Sequence, residues 1–151
     1  MGLRVYIAAP YRRARAVRAL HTSLVVLGHT PSSRWAEGAT EVEHLSDDIA
    51  AQAIAMNDHD VLTSDLLIVL GEEGLGREMW GEMRIACAMG IPVVYLGPDF
   101  LGAHRAQVIA RGELTPENLA WVFRHALRCP EFLGTVGALK QVREMEERLA
   151  A

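Results

Sequence analysis

Acid is missing from the first 36 residues of this 151-residue chain. Six arginines lie there, Arg4, Arg12, Arg13, Arg15, Arg18 and Arg34, and the first carboxylate is Glu37. The remaining residues carry nine basic and nineteen acidic side chains, so the net charge of −4 hides an asymmetry. Such a basic start is either one helix with a solvated arginine face or a local positive field for a phosphate-bearing ligand. Aromatics are few, at 6%, and are not interleaved with the arginines. With the acidic total, that argues against a nucleic-acid polymer as partner. Cysteine is scarce too. Cys87 and Cys129 have no metal-ligand spacing and form no disulfide framework, and Cys87 reads as a packing residue. No metal and no cofactor are expected. No apolar run approaches the ~20 residues of a membrane span, and the run at 5–10 is too short for a signal peptide. These absences lead us to expect a soluble, cytoplasmic protein with no membrane partner.

What is present is enough for a core. Half of the residues are apolar, and the length suits one domain. The segment 64–97, SDLLIVLGEEGLGREMWGEMRIACAMGIPVVYLG, reads as strand, glycine loop, helix, strand. Its two short apolar runs, 66–70 and 93–96, look like strands buried on both faces. Residues 3–8 predict a first strand. Pro10 suits the first turn of a helix. Val17, Leu20, Leu24 and Leu27 recur at helical spacing until Gly28 stops them. A short second strand or an extended segment is expected over 30–35, a loop over 37–45, and a helix over 46–62 capped by Ser46. Ile49, Ala53, Met56 and Asp60 share one face of that helix. A helix over 77–89 follows, then a short fifth strand at 107–110 and a helix over 115–128 opened by Thr115, Pro116 and Glu117. A last helix at 135–150 would carry an apolar stripe of Val136, Leu139, Val142, Met145 and Leu149.

Strands alternating with helices predict an α/β fold, a doubly wound parallel sheet of flavodoxin-like or Rossmann-like type. We expect the strand order 2-1-3-4-5. The main domain would span 1–128, with a helical extension at 129–151 packed on the domain or at an oligomer interface. Ligands of open α/β sheets bind at the carboxyl ends of the strands, where the strand order reverses. Three segments converge there. Ala8, Ala9, Pro10 and Tyr11 form a small-residue turn before a helix N-terminus, which favours an anion; Tyr6 and Tyr11 could stack on a base or bond a sugar. Met56, Asn57, Asp58, His59 and Asp60 form a dense polar cluster before a buried strand. The glycine loop 71–76, with Gly74 and Gly76, allows close ligand approach. It leads to Glu78 and Glu82, four apart and so on one helix face. Those two carboxylates either complement the helix dipole or face the crevice, where burial and mutual repulsion raise a pKa.

Four of these pieces in order resemble the nucleoside 2-deoxyribosyltransferase superfamily, over roughly residues 3–98. They are VYIAAPYRR, LGHTPSSRW, DHDVLTSDLLIVL and the spacing of Glu82, Ala86, Gly90 and Pro92. The resemblance implies that Glu82 is the nucleophile on the anomeric carbon of a deoxyribose. It further implies an N-glycosidic bond cleaved through a glycosyl-enzyme ester, with the sugar passed to another base, or to water in a nucleotide-hydrolase branch. Tyr6, Ala8, Pro10, Tyr11, Arg12, Arg34, Gly74, Gly76 and Glu78 would line the substrate. The family's aspartate position, eight residues before Asp65, is Asn57 here, with Asp58 adjacent. Arg84 stands where a glycine is usual, and Glu78-Met79 replaces a small pair; an alternative alignment makes Glu78 the nucleophile. A non-catalytic nucleotide-binding module on the same fold is the reading those departures favour. Family members assemble so that a neighbour completes the site, which implies a homodimer or larger.

Overall fold

A computed structural model describes residues 2–38, 46–71, 77–96 and 103–125. Its elements are β1 (Arg4–Ala8), a 3-10 turn (Tyr11–Arg13), α1 (Ala14–Val26), β2 (Thr30–Pro31), α2 (Trp35–Gly38), α3 (Asp47–Leu62), β3 (Leu66–Leu70), α4 (Arg77–Ala88), β4 (Val93–Leu96), α5 (Ala103–Ala110) and α6 (Pro116–Arg124). The strands form one parallel sheet in the order β2-β1-β3-β4. Val5 pairs with Leu66, Ala8 with Val69, Leu67 with Val93 and Leu70 with Leu96.

That order decides where the helices go. The chain moves outward from β1 to β2 through α1, then back across β1 to β3 through α3, and onward to β4 through α4. Right-handed crossovers therefore put α1 on one face and α3 with α4 on the other. Consistently, α1 packs with α5, and α3 packs with α4. Between two helical layers β3 is buried at all five positions, which is why it reads as an unbroken apolar run.

Local chemistry sets the ends of the helices. α1 buries Val17, Leu20 and Leu24. It ends where Gly28 takes φ 89° and donates to the Val25 carbonyl, a left-handed cap that suits glycine. Ser46 caps α3 by accepting from the Ile49 amide, and Thr115 caps α6 by accepting from the Asn118 amide, with Pro116 next. Gly71, at the end of β3, lies under the Tyr95 ring. A Cβ there would come within 2.6 Å of that ring, so any larger residue would have to displace Tyr95.

The structure corrects several expectations. Residues 107–110 are the last half of helix α5, not a fifth strand; a four-residue apolar run cannot be told from a buried helical turn by pattern alone. β2 spans only Thr30–Pro31, because Ser33 and Trp35 turn their side chains onto β1. Part of the loop expected over 37–45 is helical, since Glu37 and Gly38 end α2. Ile49 is 52% exposed, and the buried residues of α3 are Asn57, Asp60 and Val61. Two of the three are polar. Cys87 is buried on α4, but it is disulfide-bonded rather than a free packing thiol. The extension at 129–151, the stripe of 135–150 and the end of the 115–128 helix beyond 125 also lie outside them. Among the described residues no helix is long and apolar enough to cross a membrane.

Candidate functional site

Three side chains from three elements act on one another on the α3–α4 face of the sheet: Glu82 from α4, Tyr6 from β1 and Asp58 from α3. Asn57, the residue before Asp58, is buried as well. The strand alternates, so Tyr6 points to the face that α3 and α4 cover. Glu82 lies one turn after Glu78 on α4. Of the two, Glu82 is the buried one, 5% exposed, while Glu78 is exposed.

Burial dominates the electrostatics here. Desolvation pushes the Glu82 carboxyl up to about 8; the negative charges of Asp58 and Glu78 add to the rise, and the Tyr6 hydroxyl opposes it. Burial also raises Asp58, and raises the Tyr6 phenol far above its usual range, with help from the Glu82 and Asp60 charges. The Tyr6 hydroxyl thus acts on Glu82, but the two do not close a well-formed hydrogen bond. Tyr6 Oη, Glu82 Oε2 and Asn57 Oδ1 are each buried without a protein partner. Buried polar atoms are nearly always satisfied, so these three orphans are groups a bound molecule could satisfy. Chemically, the arrangement offers a desolvated carboxyl, a phenol donor beside it, a second carboxylate and an amide. Two carboxyls whose environments separate their titrations are a recurring basis for acid–base or nucleophilic chemistry.

Arg34 is not in this cluster. It reaches Asp60 with Nε 3.0 Å from both carboxylate oxygens and Nη2 2.7 Å from Oδ1. Asp60 is 2% exposed, and its charge is felt by Tyr6, so the Arg34–Asp60 pair borders the cluster. Ala8 is buried at the carboxyl end of β1, and Pro10 leads into the 3-10 turn. Tyr11 meets Trp35 edge to face at 5.5 Å. Arg12 is exposed. Gly74 and Gly76 lie outside the described residues. No group of three or more potential metal ligands exists among the described residues.

Sequence reasoning missed one set of groups. His21, 6% exposed, lies between Glu37 Oε1, 2.9 Å from Nδ1, and Ser33 Oγ, 2.6 Å from Nε2. Ser33 Oγ also accepts from the Ile7 amide at 3.2 Å, and Trp35 Nε1 donates to the Ile7 carbonyl at 2.9 Å. With the ring proton on Nδ1, His21 donates to Glu37 and Ser33 donates to Nε2, and every group is satisfied. Side chains thus serve the Ile7 backbone groups where β2 has already ended. The available signal was a histidine inside the apolar stripe of Val17, Leu20 and Leu24. Ser33→Ala removes both of its hydrogen bonds and strands the buried Ile7 amide. We expect it to cost about 1–3 kcal/mol, seen as a lower urea midpoint at unchanged m value; an unchanged midpoint would show that the hydroxyl is dispensable.

Compared with models of protein families, with curated proteins and with solved structures, the chain returns no match.

Proposed function

We propose that this chain is a nucleoside 2-deoxyribosyltransferase-like enzyme on a flavodoxin-like doubly wound sheet, with Glu82 as its nucleophile. The observation that supports this reading best is the buried Glu82 carboxyl coupled to the Tyr6 hydroxyl and to Asp58. In the reaction, a Glu82 carboxylate oxygen bonds to the anomeric carbon as the carbon–nitrogen bond breaks. The electron pair leaves with the base, which takes up a proton. The nitrogen of a second base then attacks the same carbon, gives up its proton and expels the carboxylate, so two inversions give retention. A 2-deoxy sugar suits this route, because it lacks the electron-withdrawing hydroxyl that would disfavour a cationic transition state.

Each side chain has a place in it. Tyr6 interacts with the ionised carboxylate and holds it against the desolvation that favours the neutral form. Asp58, whose burial raises its own titration, is the candidate to handle the proton of the leaving base; Asn57 can hydrogen-bond but cannot supply a proton. Glu82 must lose its proton before it can attack. With Glu82 ionised and Asp58 still holding the proton it gives the leaving base, the kcat/KM of the free enzyme is expected to pass through a maximum and to fall above about 8. A profile that stays level above about 8 would take Asp58 out of the proton transfer.

Chromatography of each deoxynucleoside with a different free base, beside each deoxynucleoside monophosphate alone, tests the reading. A new deoxynucleoside, absent with Glu82→Ala, is the expected result. Free base released only from the monophosphates would make the protein a nucleotide N-hydrolase. Binding with no product in either arm would leave a nucleotide-binding module. A homo-oligomer belongs to the same proposal, and a monomer in light scattering at micromolar concentration would overturn that part.

A further inference from the structure

A cavity of about 340 Å³ opens beside the β1–β2 edge, lined by Arg4, Pro31, Ser32, Arg34, His59 and Asp60. Its size falls at the small end of the roughly 300–1,000 Å³ of small-molecule sites. None of Tyr6, Asn57, Asp58 or Glu82 lines it.

Both guanidiniums in its wall are already fixed, and each keeps one end uncommitted. Arg4 donates through Nε to the Thr63 carbonyl at 2.9 Å and through Nη2 to Thr63 Oγ1 at 3.3 Å. Arg34 donates through Nε and Nη2 to Asp60. Neither Nη1, nor either ring nitrogen of the exposed His59, has a protein partner among the described residues. Asp60 is paired with Arg34; Asp65, which does not line the cavity, accepts the Arg4 backbone amide at 2.8 Å and keeps its own charge. Ser32 Oγ is spent on Ser64 Oγ. The lining thus keeps the positive charge of Arg4, with the His59 ring beside it.

We propose that this cavity binds a phosphate-bearing small molecule, held by Arg4, Arg34 and His59, at a site separate from Glu82. Guanidinium groups suit phosphate oxygens because they are always charged and donate in a fixed plane. Clamping each arginine beforehand lowers the ordering cost of binding. Two of the six arginines that open an acid-free sequence thereby acquire a purpose, although they lie 30 residues apart. The parallel pairing of Arg4 with Thr30 is what brings their segments together.

Inorganic phosphate is the first probe, titrated at constant ionic strength into isotope-labelled protein and followed by amide and arginine side-chain resonances. We expect saturable shifts centred on Ser32, Arg34, His59 and Asp60. Arg4→Gln should weaken binding roughly tenfold or more, the effect of losing one charge-assisted contact. His59→Gln should weaken it less, and Glu82→Gln not at all. Arg4 and His59 are exposed, so both variants are expected to fold, and thermal unfolding would verify this. A deoxynucleoside monophosphate beside the matching deoxynucleoside separates the sources. If only the monophosphate shifts the cavity resonances, the phosphate of a nucleotide is a ligand; if neither does while free phosphate does, the ligand is free phosphate. Shifts that never saturate, that spread over all arginines, or that survive Arg4→Gln would overturn the proposal. Because Glu82→Gln leaves this site intact, failure here and failure of the Glu82 chemistry are distinguishable.

Discussion

Glu82→Gln is expected to be more stable than the parent chain at pH 9, by a few kcal/mol, and scarcely different near pH 4.5. The sign follows from proton linkage. Burial raises the folded-state titration of Glu82 from 4.5 to about 8. Between these values the folded protein holds a proton that the unfolded chain has released. Stability therefore falls as pH rises across this window, and the full penalty is present above pH 8. Every pH unit that separates the folded from the unfolded titration is worth about 1.4 kcal/mol, so the accumulated cost is several kcal/mol in order of magnitude. Glutamine carries no such charge, and it leaves the volume nearly unchanged. Urea unfolding of both proteins at pH 5 and pH 9 reads the difference directly. A gap of equal size at the two pH values would show that Glu82 does not carry this penalty. A carboxylate kept at such a cost is what a functional group in a packed interior looks like. Loss of turnover together with a gain in alkaline stability would be the joint signature of the proposed nucleophile.

Arg34→Ala should be the most damaging substitution of an exposed residue. The Arg34 side chain is 58% exposed, but its partner Asp60 is only 3% exposed. Truncating the arginine leaves a buried carboxylate with none of its three guanidinium hydrogen bonds. For fully buried pairs, removing one partner costs about 3–5 kcal/mol. Since Arg34 itself lies largely in water, the loss is expected to be smaller than that, read as a lower urea midpoint at neutral pH. Adding Asp60→Asn should recover part of the loss, because the stranded charge is then gone. If the double variant were as unstable as the sum of two independent losses, the pair would not be the reason. The same substitution removes a wall of the cationic cavity, which is why the phosphate test relies on Arg4 and His59 instead.

How much of this was legible in the sequence differs from element to element. The runs 66–70 and 93–96 were readable because strands covered on both faces must be apolar at every position. The helices over 46–62 and 77–89 were marked by a serine cap and by a glycine stop. The strand at 107–110 failed for the opposite reason: four apolar residues carry no period that separates a strand from one turn of helix. β2 was overdrawn because Ser33 and Trp35 imitate a strand from outside it, using side-chain atoms to serve the Ile7 backbone.

The candidate site divides in the same way. Which residues are chemically able was visible in the sequence: Glu78, Glu82, Asn57, Asp58 and Tyr6 were all in view, and so was the arginine excess before Glu37. The sequence by itself therefore determined an α/β chain with alternating elements and a short list of carboxylates. Only the tertiary structure decided that Glu82 is buried and Glu78 is not, that Tyr6 faces it, and that Arg4 and Arg34 share one cavity while Arg12 lies outside on the surface. The physical reason is that local pattern reports whether a residue can be covered, and pairing register decides what covers it. Titration and unmet hydrogen bonds follow from that cover, so they appear only once β1, α3 and α4 have been brought together.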